Sequence, residues 1–166
     1  MLDHYESVKD LLWVSKIFAT IMYRSLTKEY PELYEVARSD LMEYWDYFIP
    51  MATVGFGFIL IADNFQSDVD RDNFADAFEK VLNEWKVRPI KYNNFDVMKN
   101  FLNTFNSMQK DGLPIDASIG GWIWINLNVE KANQKLKEIT QKEFYAKMLG
   151  LMILETFHDW WKLAVF

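Results

Sequence analysis

Asp68, Asp70, Asp72, Asp76 and Glu79 stand at positions 1, 3, 5, 9 and 12 of a twelve-residue stretch. That spacing lets short carboxylates converge on a calcium ion, with the last Glu chelating through both oxygens from the start of a helix. The Phe74 carbonyl takes the backbone-ligand position of such a loop. Two positions depart from the template. Asn73 stands where the chain turns sharply and glycine is nearly obligatory, and Ala75 stands where a β-branched residue pairs with a second loop. No second loop is found in the sequence. A capped helix accounts for the same letters: Ser67 or Asp68 as the cap, followed by an acidic first turn that the helix dipole favours. Ca²⁺ is the one cofactor the sequence points to, and both readings stand at this stage.

Glu155 and His158 share a face of an expected helix, at the spacing used for half of a dinuclear metal centre in helical bundles. The other half has no counterpart, because the chain holds only two histidines and His4 lies outside any such motif. A mononuclear site would have to draw on Glu43 as well. His158-Asp159 lacks the further histidines of a metal phosphohydrolase. No Gly-x-Ser-x-Gly elbow occurs, and Gly55-x-Gly57 lacks the third glycine and the Lys-Ser or Lys-Thr of a phosphate loop. An enzyme is therefore not the leading expectation. The catalytic or small-ligand alternative is a pocket around Trp122, Trp124 and Trp160, with His158 as the group that titrates near neutral pH.

Rings supply the remaining signal. Tyr44-Trp45-Asp46-Tyr47-Phe48, Trp122-Ile123-Trp124 and Trp160-Trp161 put large side chains at neighbouring positions, where a helix must point them to different sides. Some of them are expected at the surface. Tyr and Trp anchor the centres of protein interfaces, and acids beside them suit a partner rich in Arg or Lys. Tyr44, Trp45, Asp46, Tyr47 and Trp161 form the candidate partner-binding set, with a large-ring core as the competing use of the same residues. The leading expectation is a non-catalytic, acidic protein-binding domain of the inhibitor or immunity type. A calcium-responsive helical module built on residues 68–79 is second, and the pocket near His158 is third.

Composition narrows the classes. With 51% hydrophobic and 17% aromatic residues among 166, the chain has enough apolar surface for a core, and a single domain over residues 1–166 is expected. There is no Cys, which removes disulfides, thiolate nucleophiles and cysteine-bound zinc. A formal charge of −6 and the lack of clustered Lys or Arg argue against nucleic acid. The partner expected is another protein, and a basic one fits the charge. The start of the chain has no basic region followed by a small-residue cleavage site, and the apolar run 49–62 is shorter than the roughly 20 residues that cross a bilayer. A cytoplasmic location without a membrane span is the expectation.

Elements follow from periodicity. Val8, Leu11, Leu12, Phe18, Ile21 and Met22 predict an amphipathic helix over 3–26. Pro31 opens a second helix that Pro50 is expected to end near residue 48. The run 51–64 reads as a buried helix, with Ala52, Gly55, Ile59 and Ala62 as a small face, or as a buried strand. Phe74, Phe78, Val81, Leu82 and Trp85 predict a helix from Asp68. Phe95, Met98, Leu102, Phe105 and Met108 predict another, ending at Gly112. Residues 117–129 are again helix or strand, and 129–163 form one long helix or two joined near Gly150, placed mid-bundle. The sum is a mainly α single-domain bundle of six or seven helices, with α+β as the alternative, its buried strands near 53–62 and 119–129. Ile49-Pro50-Met51 ahead of Gly57 also resembles Leu113-Pro114-Ile115 ahead of Gly121, as a duplication would leave.

Overall fold

The computed structural model describes residues 3–30, 40–86, 92–127 and 142–164. Among these there are six helices and no strands: α1 (His4–Glu29), α2 (Asp40–Asn64), α3 (Asp68–Glu84), α4 (Asn94–Lys110), α5 (Ile115–Asn126) and α6 (Lys142–Ala164). The mainly α expectation holds, and the strand alternative is overturned. Residues 53–62 lie inside α2 and 119–126 inside α5, while 128 and 129 fall outside the described residues. A strand also needs a neighbour to pair with, and a helix satisfies its own backbone.

α2 is the axis, lying against each of the other five helices. Its middle is buried without interruption from Tyr47 to Gly57. Pro50 was expected to end a helix and instead sits inside this one. Proline removes one N–H from the ladder and costs about 3 kcal/mol in a helix interior. Here Phe48, Ile49, Met51 and Ala52 around it are all buried. Burying a large apolar side chain contributes about 1.5–3 kcal/mol, so packing on several sides outweighs the local penalty. The expected second helix at 31–48 is thus the first part of a longer one; residues 31–39 lie outside the described residues.

Local signals set the other ends. Ser67 caps α3, its side chain accepting from the Asp70 N–H, and Asn93 caps α4, accepting from the N–H groups of Phe95 and Asp96. Beyond α4, Gly112 takes a φ of +83°, the left-handed turn that glycine adopts without a Cβ clash. Pro114 then occupies the N-cap of α5. One of the two echoed prolines opens a helix and the other lies within one, so the two stretches fold differently.

α5 and α6 cross with their backbones in contact. A Cβ built on Gly120 would stand 1.5 Å from the Ala146 carbonyl oxygen, and one on Gly150 would stand 1.7 Å from the carbonyl oxygen of Asp116. Each helix thus presents a glycine to the other's main chain. α6 runs through Gly150 as one helix and was expected mid-bundle. It buries Tyr145, Leu149, Ile153, Phe157 and Trp160 and leaves Phe144, Leu151 and Leu163 in solvent. α1 buries Val8, Leu11, Leu12, Ala19, Met22 and Leu26 against α2 and α3, whereas Ile21, expected on this face, is 51% exposed.

Candidate functional site

The five residues proposed from sequence as a binding surface do not share one. Trp45 is buried, and its indole N–H donates to the Ala19 carbonyl at 2.7 Å, pinning α2 to α1. Tyr47 is also buried, its hydroxyl donating to Asn94 Oδ1 at 2.7 Å. The Asn94 amide in turn donates to the carbonyls of Leu82 and Trp85, each at 2.8 Å, which ties α2, the end of α3 and the start of α4 at one side chain. The Tyr47 ring stacks on Trp85 and Tyr92, with centroids 5.1 and 5.3 Å away, and Phe48 meets Trp122 edge-on at 5.5 Å. Burial, and then the charge of the neighbouring Tyr92 phenol, push the Tyr47 hydroxyl well above its ordinary range. Tyr44 is half-buried and stacked on Phe48, and of the run only Asp46 is on the exposed side, its carboxyl raised by partial desolvation. Four successive helical positions turn through a full circle, so the run serves the core on most sides.

Trp161 lies elsewhere, in an open groove between α2 and α6. Phe56, Leu60 and Asn64 line one wall, and Leu154, Phe157, His158 and Trp161 the other, around a volume of about 450 Å³. The Trp161 ring stacks on Phe157 at 5.9 Å and remains half-exposed. His158 is exposed at the rim. The Asn64 amide already donates to the Leu60 carbonyl at 2.7 Å. Glu155 and Asp159 stand exposed on the adjoining face of α6. Sequence reasoning singled out Trp161 and His158 but not the other wall. The signal was present: 56, 60 and 64 recur at fours on α2, and 154, 157, 158 and 161 form one stripe on α6.

The tryptophans expected to form a pocket with His158 do not line the groove that it borders. Trp122 donates to Asn100 at 2.8 Å beneath α4, and Trp124 stacks flat on Tyr145 at 5.8 Å. Trp160 is buried against Phe157, and it does not line the groove. The indole N–H groups of Trp124 and Trp160 are buried and have no hydrogen-bond partner among the described residues, and an unmet buried donor costs about 1–3 kcal/mol. Glu43 lies on α2, with its side chain outside the described set.

The stretch from Asp68 to Glu79 forms the first turns of α3 and not a calcium loop. In a helix successive side chains turn by about 100° and rise by about 1.5 Å, so Asp70 faces away from Asp68 and Asp72. Asp68 and Glu79 stand roughly 16 Å apart along the axis, too far to share one ion. Asp68 bonds to Arg71, and Asp72 is exposed. Asp76 and Glu79 border a shallow dip beside Lys80. Phe74, whose carbonyl was the backbone ligand of the loop reading, buries its ring against Phe78 and His4. Among the described residues no three His, Cys, Asp or Glu side chains are grouped to hold a metal ion. The capped-helix reading of this segment is the one the fold adopts, because Ser67 captures the Asp70 N–H and a helix makes Phe74, Phe78 and Val81 one buried face.

No described helix is long and apolar enough to cross a membrane. No protein-family model matches the chain, and comparison with curated proteins and with solved structures found no match either.

Proposed function

We propose that this chain is a non-catalytic, acidic binding domain that takes one large apolar side chain of another protein into the α2–α6 groove. The observation that carries the reading is Trp161, half-exposed in a groove lined mainly by Phe56, Leu60, Leu154 and Phe157, with Asn64 and His158 as its two polar residues. An open apolar groove edged by a tryptophan is the arrangement in which interface energy concentrates, because a ring buries a large area at small entropic cost. A small polar ligand needs several convergent donors or acceptors to fix it, and this groove offers His158 and an Asn64 amide already in use. Glu155 and Asp159 beside it favour a partner segment with Lys or Arg flanking its apolar anchor.

Peptide-display panning on the folded protein tests this reading. Enriched sequences are expected to carry a single Trp, Phe or Leu anchor next to basic residues. Trp161→Ala is expected to weaken them by about 30-fold or more, the loss typical of an interface hot spot. Glu155→Lys is expected to weaken them by less. Peptides that bind Trp161→Ala as tightly as the parent, with its helical circular dichroism intact, refute the groove as the site.

A further inference from the structure

The side of α1 turned away from the core carries an ordered pattern that the groove does not use. Glu6, Asp10, Trp13, Ile17, Ile21, Arg24 and Lys28 recur at spacings of three and four, so they lie along one helical face. At its centre Trp13, Ile17 and Ile21 are 61%, 42% and 51% exposed, an unusual amount of large apolar surface for a single helix. The amino end of the face is acidic and the carboxyl end basic. Arg24 and Lys28 are exposed and Asp10 half-exposed, and none of the three has an ion-pair partner among the described residues. Glu6 has Lys9 at 3.6 Å, on the flank of the face. Lys16, on the same flank, is drawn the other way, its ammonium lying 5.3 Å from the centroid of the Trp85 ring.

The pattern is symmetric about Ile17. Trp13 and Ile21 lie four residues to either side of it, Asp10 and Arg24 seven, and Glu6 and Lys28 eleven. A face whose charges change sign about an apolar midpoint is complementary to itself turned end for end, which is the relation a two-fold axis imposes. We propose that α1 is the interface of a homodimer, with α1 of one protomer antiparallel to α1 of its partner and Ile17 on the axis. In that arrangement Trp13 covers the second copy's Ile21, Asp10 meets its Arg24 and Glu6 its Lys28. A parallel pairing would set like charges against each other at both ends, which disfavours it. α1 contributes no lining residue to the α2–α6 groove, so self-association and the binding proposed there stand or fall separately.

Sedimentation of the full chain between about 1 µM and 1 mM, the span over which a small specific interface populates dimers, reads the proposal directly. The parent is expected to show a monomer–dimer equilibrium, and Ile17→Asp, which sets two carboxylates against each other on the axis, is expected to sediment as monomer. All the positions changed are exposed or half-exposed, so an unchanged thermal melt by circular dichroism certifies the fold. Orientation is tested by exchanging charges. One variant carries Arg24→Glu with Lys28→Glu, acidic at both ends, and another carries Glu6→Lys with Asp10→Lys, basic at both ends. Each alone is expected to be monomeric, and their equimolar mixture dimeric. A parent that stays monomeric throughout the range, or a dimer that survives Ile17→Asp, overturns the interface. Charge variants that each dimerise alone as well as the parent overturn the antiparallel arrangement.

Discussion

Two regions of this protein solve the packing of helices in opposite ways. Where α5 crosses α6, Gly120 and Gly150 bring backbone onto backbone, and nothing remains to be displaced. Around the middle of α2, Tyr47, Phe48, Trp85 and Trp122 fill the space with rings and are fixed by a few polar pins, chiefly Asn94 and Asn100. The first region is specified by what its side chains lack. The second is specified by shape together with a small number of hydrogen bonds. Adding an atom should therefore be ruinous in one, and removing a donor or acceptor should be the injury in the other.

The largest effect is expected from Gly120→Ala or Gly150→Ala. The added methyl meets a carbonyl, which moves only with its whole helix, so a loss of about 3 kcal/mol or more is expected. For a chain of this length that lowers the thermal midpoint by roughly 6–12 °C. Next is Asn94→Ala, which releases the Tyr47 hydroxyl and the carbonyls of Leu82 and Trp85 together. Stranded buried polar groups make a loss of about 2–3 kcal/mol the expectation, measured by urea unfolding.

A smaller effect, with a pH signature, is expected for Tyr47→Phe. The ring stays and one hydrogen bond goes, so about 1 kcal/mol is expected at pH 8. The native state holds the Tyr47 proton more tightly than the unfolded chain does, so its contribution is complete below a pH of about 10 and is lost as pH rises above it. Stability of the variant should then fall less steeply than the parent's in alkaline titrations of unfolding. Tyr5 and Tyr92, also raised, keep part of the slope in both proteins. The smallest effect sharpens the comparison most. Gly121 is next to Gly120, yet its added Cβ would meet only the Met108 side chain, at 3.4 Å. Gly121→Ala is expected to be neutral or to raise stability by up to about 1 kcal/mol, since alanine is the better helix former. Equal losses at 120 and 121 in chemical denaturation would show that the backbone crossing is not what sets the cost.

Much of the helical layout was legible from sequence because local signals and burial agree there. Ser67, Asn93 and Gly112 mark ends that the fold uses, and the apolar spacing of α3 matches the residues it buries. In α4 Met98 and Phe105 are buried as expected, Phe95, Leu102 and Met108 only partly, and the fully buried Phe101 was not among them. At Pro50 they disagree, and burial on several sides prevails over a rule about one N–H. Ile21 misled for another reason: α1 carries apolar residues on two faces, and periodicity along a single helix does not say which of them meets the core. The ring run 44–48 was correctly seen to diverge, but which rings turn inward depends on neighbours far along the chain. The groove was harder still, since its two walls come from α2 and α6, nearly a hundred residues apart, and share no local motif.

The crossing of α5 and α6 also bears on how the sequence is free to drift. At Gly120 and Gly150 each residue's lack of a side chain makes room for the opposite main chain, so neither position can be replaced until the other helix has moved, and nineteen alternatives are closed at both together. Such a pair evolves as one unit. A homologue diverged beyond recognition elsewhere should still carry glycines at these two places. In a library of all single substitutions they should stand out as two cold positions, with a permissive neighbour at Gly121.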